Sequence, residues 1–307
     1  MGRIHAWAAY LIALPWLFFV LILLPTRLPR ALKIANATAL AAYALSVPVR
    51  VRTPYALADG LLRLAAGFLA MKALDLGAVR AYRPPILRAQ GRLPRTFAER
   101  LRYALHLVRE TRYESFDISV APAPHPPASW KYHLAQYGGT AALYVLFPVA
   151  EARVLALILF IYTLFEAGHT ILRPDSRTPL FDRPFAAPGL AAFWRKGWHA
   201  ILLSPLTSLA FEPFGRAGGR AAGVAAAFAL SGAWHAWAVV PLGGPKLAVR
   251  VFAVFVSQAG WMSVERAVWG KRNTLVKRFA AWSWCLAWAG WALRGFDDRA
   301  AYWLPCV

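Results

Sequence analysis

Residues 221–240 read AAGVAAAFALSGAWHAWAVV, a run without a single Asp, Glu, Lys or Arg. At about 1.5 Å per residue, a helix of this length matches a hydrocarbon core about 30 Å thick. Working outward, seven further apolar runs have a similar character. They are Ala6–Leu24, Ile34–Val49, Ala56–Leu76, Leu134–Ala150, Val154–Gly168, Leu247–Val268 and Phe279–Leu293. The second, fifth and eighth runs in chain order are short and are expected to extend at their ends. The run Ala56–Leu76 carries Asp59, Arg63 and Lys72, so it is either a span or an interfacial helix. Asp59 and Arg63 stand four apart, a spacing that allows them to pair on one helix face.

Composition agrees with this pattern. Of 307 residues, 59% are hydrophobic and only 16% charged, and the mean hydropathy is +0.44. A disordered chain is poor in apolar residues, and an ordinary soluble domain has about a quarter of its residues charged. The expected fold class is all-α: a polytopic integral membrane helix bundle of about eight spans, one membrane domain over residues 1–307. The run Ala6–Leu24 is read as the first span, because it is long for a cleaved signal and lacks a small-x-small site after it.

The formal net charge is +21. The basic residues lie between the apolar runs, as expected of cytoplasmic loops against anionic headgroups and not of a nucleic-acid-binding surface. Segment 77–131 holds ten Lys and Arg against four acids, segment 169–220 holds seven, and segment 269–278 holds Lys271, Arg272, Lys277 and Arg278. With eight spans these three loops share one side, the cytoplasmic one, and both termini lie opposite. The expected location is a multi-pass membrane protein of the endoplasmic reticulum in a eukaryote or of the inner membrane in a bacterium. Ala121–Pro127 (APAPHPP) is a Pro-rich turn, and Phe97–Val108 has the pattern of a short helix carrying Leu101, Leu105, Arg100 and Arg102.

Residues 179–215, PLFDRPFAAPGLAAFWRKGWHAILLSPLTSLAFEPFG, differ from the rest. At 100° per residue over Leu190–Leu202, Leu190, Phe193, Trp194, Gly197, Trp198 and Ile201 fall on one side, and Arg195, Lys196 and His199 on the other. That predicts an amphipathic helix in the interface plane, preceded by Pro184 and Pro188, which keep the chain from continuing as helix upstream. Within the charge-free run, His235 stands among Ser231, Gly232, Ala233, Trp234 and Trp237. An imidazole among apolar neighbours favours its neutral, proton-accepting form. Ser231, one turn away, is a possible partner, and Gly232 and Ala233 permit close helix approach. A catalytic and a structural histidine fit these surroundings equally.

The sequence LFDRPF, then FWRKGWH, then a spacer and SGAWH resembles the wax synthase branch of the membrane-bound O-acyltransferase family. The resemblance covers residues 179–240. It implies acyl transfer from acyl-CoA, as a co-substrate and not a bound cofactor, to the hydroxyl of a lipophilic alcohol within the bilayer. Wax ester synthesis is the leading case, and a sterol or terpenoid acceptor the alternative. It also implies that His235 is the essential histidine and His199 the second polar position. Gly197 stands where the family commonly has Arg, and Ala236 where it commonly has Glu.

The residue chemistry is compatible with this. A neutral histidine can take the proton of an attacking alcohol. The tetrahedral oxyanion then needs a donor, for which His199, the Trp198 N–H or the Trp234 N–H are candidates. Arg195, Lys196, Trp198 and Trp194 are the candidates for holding acyl-CoA, although a lipid-anchoring role fits the two cations equally. No covalent acyl-enzyme is required, and Cys285 and Cys306 lack a nucleophile setting. The closest histidines, His125 and His133, are eight apart, which argues against a metal site, since metal ligands must converge. Ser231 and His235 could touch as in a serine protease, but no glycine-flanked serine elsewhere completes such a site. The rival of another class is a transporter or scaffold with Glu166, His169 and Arg173 on a polar pathway.

Overall fold

The computed structural model describes residues 7–20, 28–53, 55–119, 187–198, 201–270 and 272–293, and between them positions 134, 135, 138, 139, 142, 159, 162, 163, 165–169, 171, 176, 180, 181 and 184. Among the described residues the chain is helical, with an isolated β-bridge joining Leu87 and Phe116. The helices are α1 (Trp7–Phe18), α2 (Arg30–Arg50), α3 (Ala56–Leu74), α4 (Phe97–Arg109), α5 (Leu190–Ala192), α6 (Leu203–Leu206), α7 (Glu212–Trp269) and α8 (Leu275–Leu293). A π-helical turn continues α3 over Asp75–Val79, α5 over Phe193–Gly197 and α6 over Thr207–Phe211. The chain falls into two compact units. The first holds residues 1–120, 202–252 and 297–307, the second residues 121–201 and 253–296.

Helix α2 extends the expected Ile34–Val49 at both ends, and α8 extends Phe279–Leu293 back to Leu275. The sixth and seventh expected spans run together as α7, which breaks at Gly243 and Gly244 between Pro241 and Pro245. Gly244 has φ 66° and ψ −167°, a region open almost solely to glycine, so the break is written into the residue type. Among the described residues two helical runs are long and apolar enough to cross a membrane, Arg30–Arg50 and Leu203–Trp269. The latter has 67 residues, far more than the roughly 20 that one crossing needs, and its glycine breaks divide it. Most of the expected span Leu134–Ala150 and about half of Val154–Gly168 lie outside the described residues, and Ala6–Leu24 is described from Trp7 to Val20. The count of eight spans rests on the sequence.

In the first unit α1, α2 and α3 pack together. Their small buried residues, Ala37, Ala41 and Ala44 on α2 and Ala66, Ala70 and Ala73 on α3, permit the close approach that packing in lipid depends on. Asp59 and Arg63 do not pair with each other. Asp59, in the first turn of α3, accepts from the Thr53 amide at 2.7 Å, and Arg63 reaches α7, donating to the Trp237 carbonyl at 3.2 Å with its guanidinium over the Trp237 ring. Each group thereby serves a backbone atom that would otherwise be left without a partner in apolar surroundings.

Further along the same face, the Trp234 indole fills the space left by Gly67 and donates to the Leu64 carbonyl at 3.0 Å. A Cβ at Gly67 would clash with Trp234 Cδ1 and come within 2.5 Å of its Nε1. Gly67→Ala is therefore expected to break the indole hydrogen bond and to destabilise the chain by about 1–3 kcal/mol, the usual range for overpacking. The check is the thermal midpoint of the purified protein, with Gly138→Ala, where a Cβ meets nothing, as the control.

Helix α4 begins at a capping box. The Thr96 hydroxyl accepts from the Glu99 amide, and the Glu99 carboxylate accepts from the Thr96 and Arg95 amides and from Arg92. Those donors hold the Glu99 carboxyl down at about 2, the Arg92 hydrogen bond being the largest cause. A depressed carboxylate contributes stability above its unfolded value near 4.5 and loses it as pH falls toward about 2. Amide protection across Phe97–Arg109, corrected for intrinsic exchange, should stay flat down to about pH 5 and then decline through that window. Glu99→Gln should remove the pH dependence, as hydrogen exchange would read.

Candidate functional site

His235 lies in the charge-free part of α7, half-buried. Its Nδ1 stands 2.8 Å from the Ser231 carbonyl oxygen one turn back. The partner is thus the Ser231 backbone and not its hydroxyl. A carbonyl only accepts, so Nδ1 carries the proton and Nε2 is the acceptor nitrogen of the neutral ring. The Trp234 indole stands edge-on to the imidazole, ring centroids 4.5 Å apart. Trp234 is itself fixed by the Leu64 carbonyl and Gly67 of α3. That bond spends the single indole N–H, which removes Trp234 from the candidate oxyanion donors. The order of supports runs from a glycine gap in α3, through a locked indole, to an imidazole with an assigned tautomer.

The same unit holds a buried polar centre that the sequence analysis did not single out. Asp75, fully buried at the π-helical end of α3, accepts from Ser204 (2.9 Å), Ser208 (2.7 Å), Arg80 Nε (3.0 Å) and the Tyr113 hydroxyl (3.2 Å). Ser204 and Ser208 come from α6 and its π-helical turn, so this carboxylate fastens the start of the α6–α7 run to the end of α3. Burial pushes the Tyr113 hydroxyl well up, and the Asp75 charge adds to the effect, so Tyr113 donates and stays neutral. Tyr113 also has φ 54°, a left-handed conformation costly for an aromatic residue. One turn before Asp75, the buried Lys72 donates to the carbonyls of Leu107 and Glu110 and stands over the faces of Trp16, Phe68 and Tyr113. The available signals were an acid at the end of an apolar run and two serines four apart in another.

The aromatic and basic segment belongs to the second unit. The expected amphipathic helix Leu190–Leu202 is shorter in the structure. It runs from Leu190 to Gly197, and Trp198 is extended (φ −80°, ψ 160°). Its last turn is π-helical, closed by the Trp198 amide on the Phe193 carbonyl at 2.7 Å. The i→i+5 bond winds the chain less per residue than a wheel at 100° assumes, so the wheel positions beyond Phe193 drift. Leu190, Phe193 and Gly197 are buried, Trp194 and Trp198 half-buried, and Arg195 exposed, which keeps the apolar and basic sides apart up to the end of the turn. The side chain of Lys196, and His199 altogether, lie outside what is described.

Within this unit Phe193 stacks on Trp198 at 5.4 Å and meets Trp194 and Trp282 edge-on, while Trp194 leans on Phe255. The helix start is held by Glu265, which accepts from the Leu190 amide at 2.6 Å and pairs with Lys277 at 3.4 Å. Gly189 makes this possible, since a Cβ there would meet both Glu265 carboxylate oxygens and the Lys277 stem. An apolar cavity lined by Ala187, Gly189, Leu190, Phe193, Ala281, Trp282 and Cys285 lies beside it and does not include His235. Trp194, Arg195 and Trp198 thus stand in one unit and His235 in the other. Among the described residues no three His, Cys, Asp or Glu side chains converge to hold a metal.

Residues 177–257 match the family described as "Membrane bound O-acyl transferase family". The matched stretch contains FWRKGWH, Ser204, Ser208 and His235. It supports membership of that family and suggests acyltransferase activity in a membrane, with an acyl donor and a lipid acceptor. Neither the curated proteins nor the solved structures give a match to this chain.

Proposed function

We propose that the chain is a polytopic membrane O-acyltransferase of the wax synthase type, transferring a fatty acyl group from acyl-CoA to a long-chain alcohol with His235 as general base. The observation that carries the reading is the His235 tautomer. With Nδ1–H held by the Ser231 carbonyl, Nε2 is the nitrogen able to take a proton. The alcohol oxygen attacks the thioester carbonyl as its proton passes to Nε2. The C–O bond forms, the C–S bond breaks, and the imidazolium returns the proton to the departing CoA thiolate. The transient oxyanion needs a hydrogen-bond donor, the role proposed for His199. Arg195 and Lys196, with Trp194 and Trp198 beside them, receive the CoA phosphates at the cytoplasmic face. An apolar interior suits the acyl chain, each buried methylene contributing about 0.8 kcal/mol. A sterol or terpenoid alcohol would enter by the same chemistry, with pocket shape deciding between acceptors.

The test uses the purified chain in proteoliposomes with radiolabelled palmitoyl-CoA and either hexadecanol, a sterol or a terpenoid alcohol. Labelled ester formed with one of them and stoichiometric CoA release support the reading and name the acceptor class. No ester with any alcohol would overturn it and favour the transporter or scaffold alternative.

A further inference from the structure

We propose that α4 is a docking surface for the anionic leaflet of the bilayer, seated in the interface with one apolar stripe in the acyl region. Phe97, Leu101, Leu105 and Val108 are 67%, 44%, 50% and 41% exposed. At 100° per residue they fall within an arc of about 80°, a continuous stripe. The helix is not loosely attached, because Tyr103, Ala104 and Leu107 on another side are buried in the core of the first unit. The Tyr103 hydroxyl is tied to the Pro85 carbonyl.

The order of side chains around the helix identifies the occupant. Next to the apolar stripe come Arg102 and Arg109, both exposed, then Glu99 and His106, then the buried side. Acyl chains, headgroups and water would be met in that sequence by a helix lying in the plane of a leaflet. The exposed arginines beside the stripe match an anionic lipid surface in charge. The flanking segment adds the exposed Arg95, a cation of the kind that draws a juxtamembrane element onto anionic lipid, while Arg92 is paired with Glu99. The end of α4 is itself fixed, since Lys72 of α3 donates to the carbonyls of Leu107 and Glu110.

The surface does not depend on the proposed chemistry, and its test does not use enzyme activity. Single cysteines replacing Leu101, Leu105, Arg102 and Arg109, in the full chain with Cys285→Ser and Cys306→Ser, are spin-labelled and placed in phosphatidylglycerol nanodiscs. Labels at 101 and 105 should be several-fold more accessible to oxygen than to a water-soluble nickel complex, with the ratio reversed at 102 and 109. Phosphatidylcholine nanodiscs should reduce the contrast. In the unsubstituted chain, a diazirine lipid should label Phe97–Val108. Equal access to the nickel complex at all four sites, or labels at 101 and 105 shielded from both reagents as in a protein contact, would overturn the proposal.

Discussion

His235→Ala should reduce ester formation by about 10²–10⁴-fold, the usual contribution of a positioned general base. His235→Asn should reduce it equally, and the pair of variants separates chemistry from folding. Asparagine can still donate from its amide toward the Ser231 carbonyl, as Nδ1 does in the parent at 2.8 Å, but it offers nothing in place of Nε2. The thermal midpoint should therefore stay near the parent value in the asparagine variant while labelled ester disappears. Turnover that survives in His235→Asn would remove His235 from the reaction. A matched loss of stability and activity would make it a structural histidine bound to its own helix. Gly67→Ala gives an intermediate case, because it displaces Trp234 and through it the face of the imidazole.

Asp75→Ala should be the most destabilising single change in the first unit, by about 3–5 kcal/mol, the range for removing one partner of a buried charged pair. The Asp75 carboxylate accepts from four donors at once. Its loss leaves the Arg80 charge, two serine hydroxyls and a tyrosine hydroxyl without this acceptor. Asp75→Asn should cost less, since the amide oxygen still accepts from some donors while the charge facing Arg80 is gone. Thermal unfolding in detergent, followed by the fraction that stays monodisperse on size exclusion, would read both. A midpoint for Asp75→Ala within the scatter of Ser204→Ala would mean that the carboxylate does not hold α3 and α6 together.

The helices were legible because each follows from a local rule. The runs 221–240 and 247–268 were read as separate helices from their apolar composition, and α7 does break between them, at Gly243 and Gly244. The placement of Leu101, Leu105, Arg100 and Arg102 put a short helix at Phe97–Val108, within a residue of its observed end, while the Thr96–Glu99 capping box that starts it went unread. The apolar and basic sides of 190–197 were also readable, since burial follows side-chain type there. The helix end was not, because a π-helical turn closes with one residue more than the regular period and no single residue announces it. The expected Asp59–Arg63 pair failed for a related reason. Spacing says which groups can meet on one helix, but Thr53 and Trp237 were better placed to use them.

Asp75 went unnoticed because its partners are scattered through the sequence, at 80, 113, 204 and 208. The sequence by itself determined that this chain is helical and apolar enough for a membrane, that its cations cluster between the apolar runs, and that a lone histidine sits in a charge-free helix. Those properties depend on composition and on neighbours within a turn or two. Only the tertiary structure decided that the Gly67 gap admits Trp234 and commits its indole N–H to Leu64, and that one buried carboxylate gathers donors from four places in the chain. Hydrogen bonds between distant segments are chosen by which groups the fold removes from water together, and that choice has no period in the sequence.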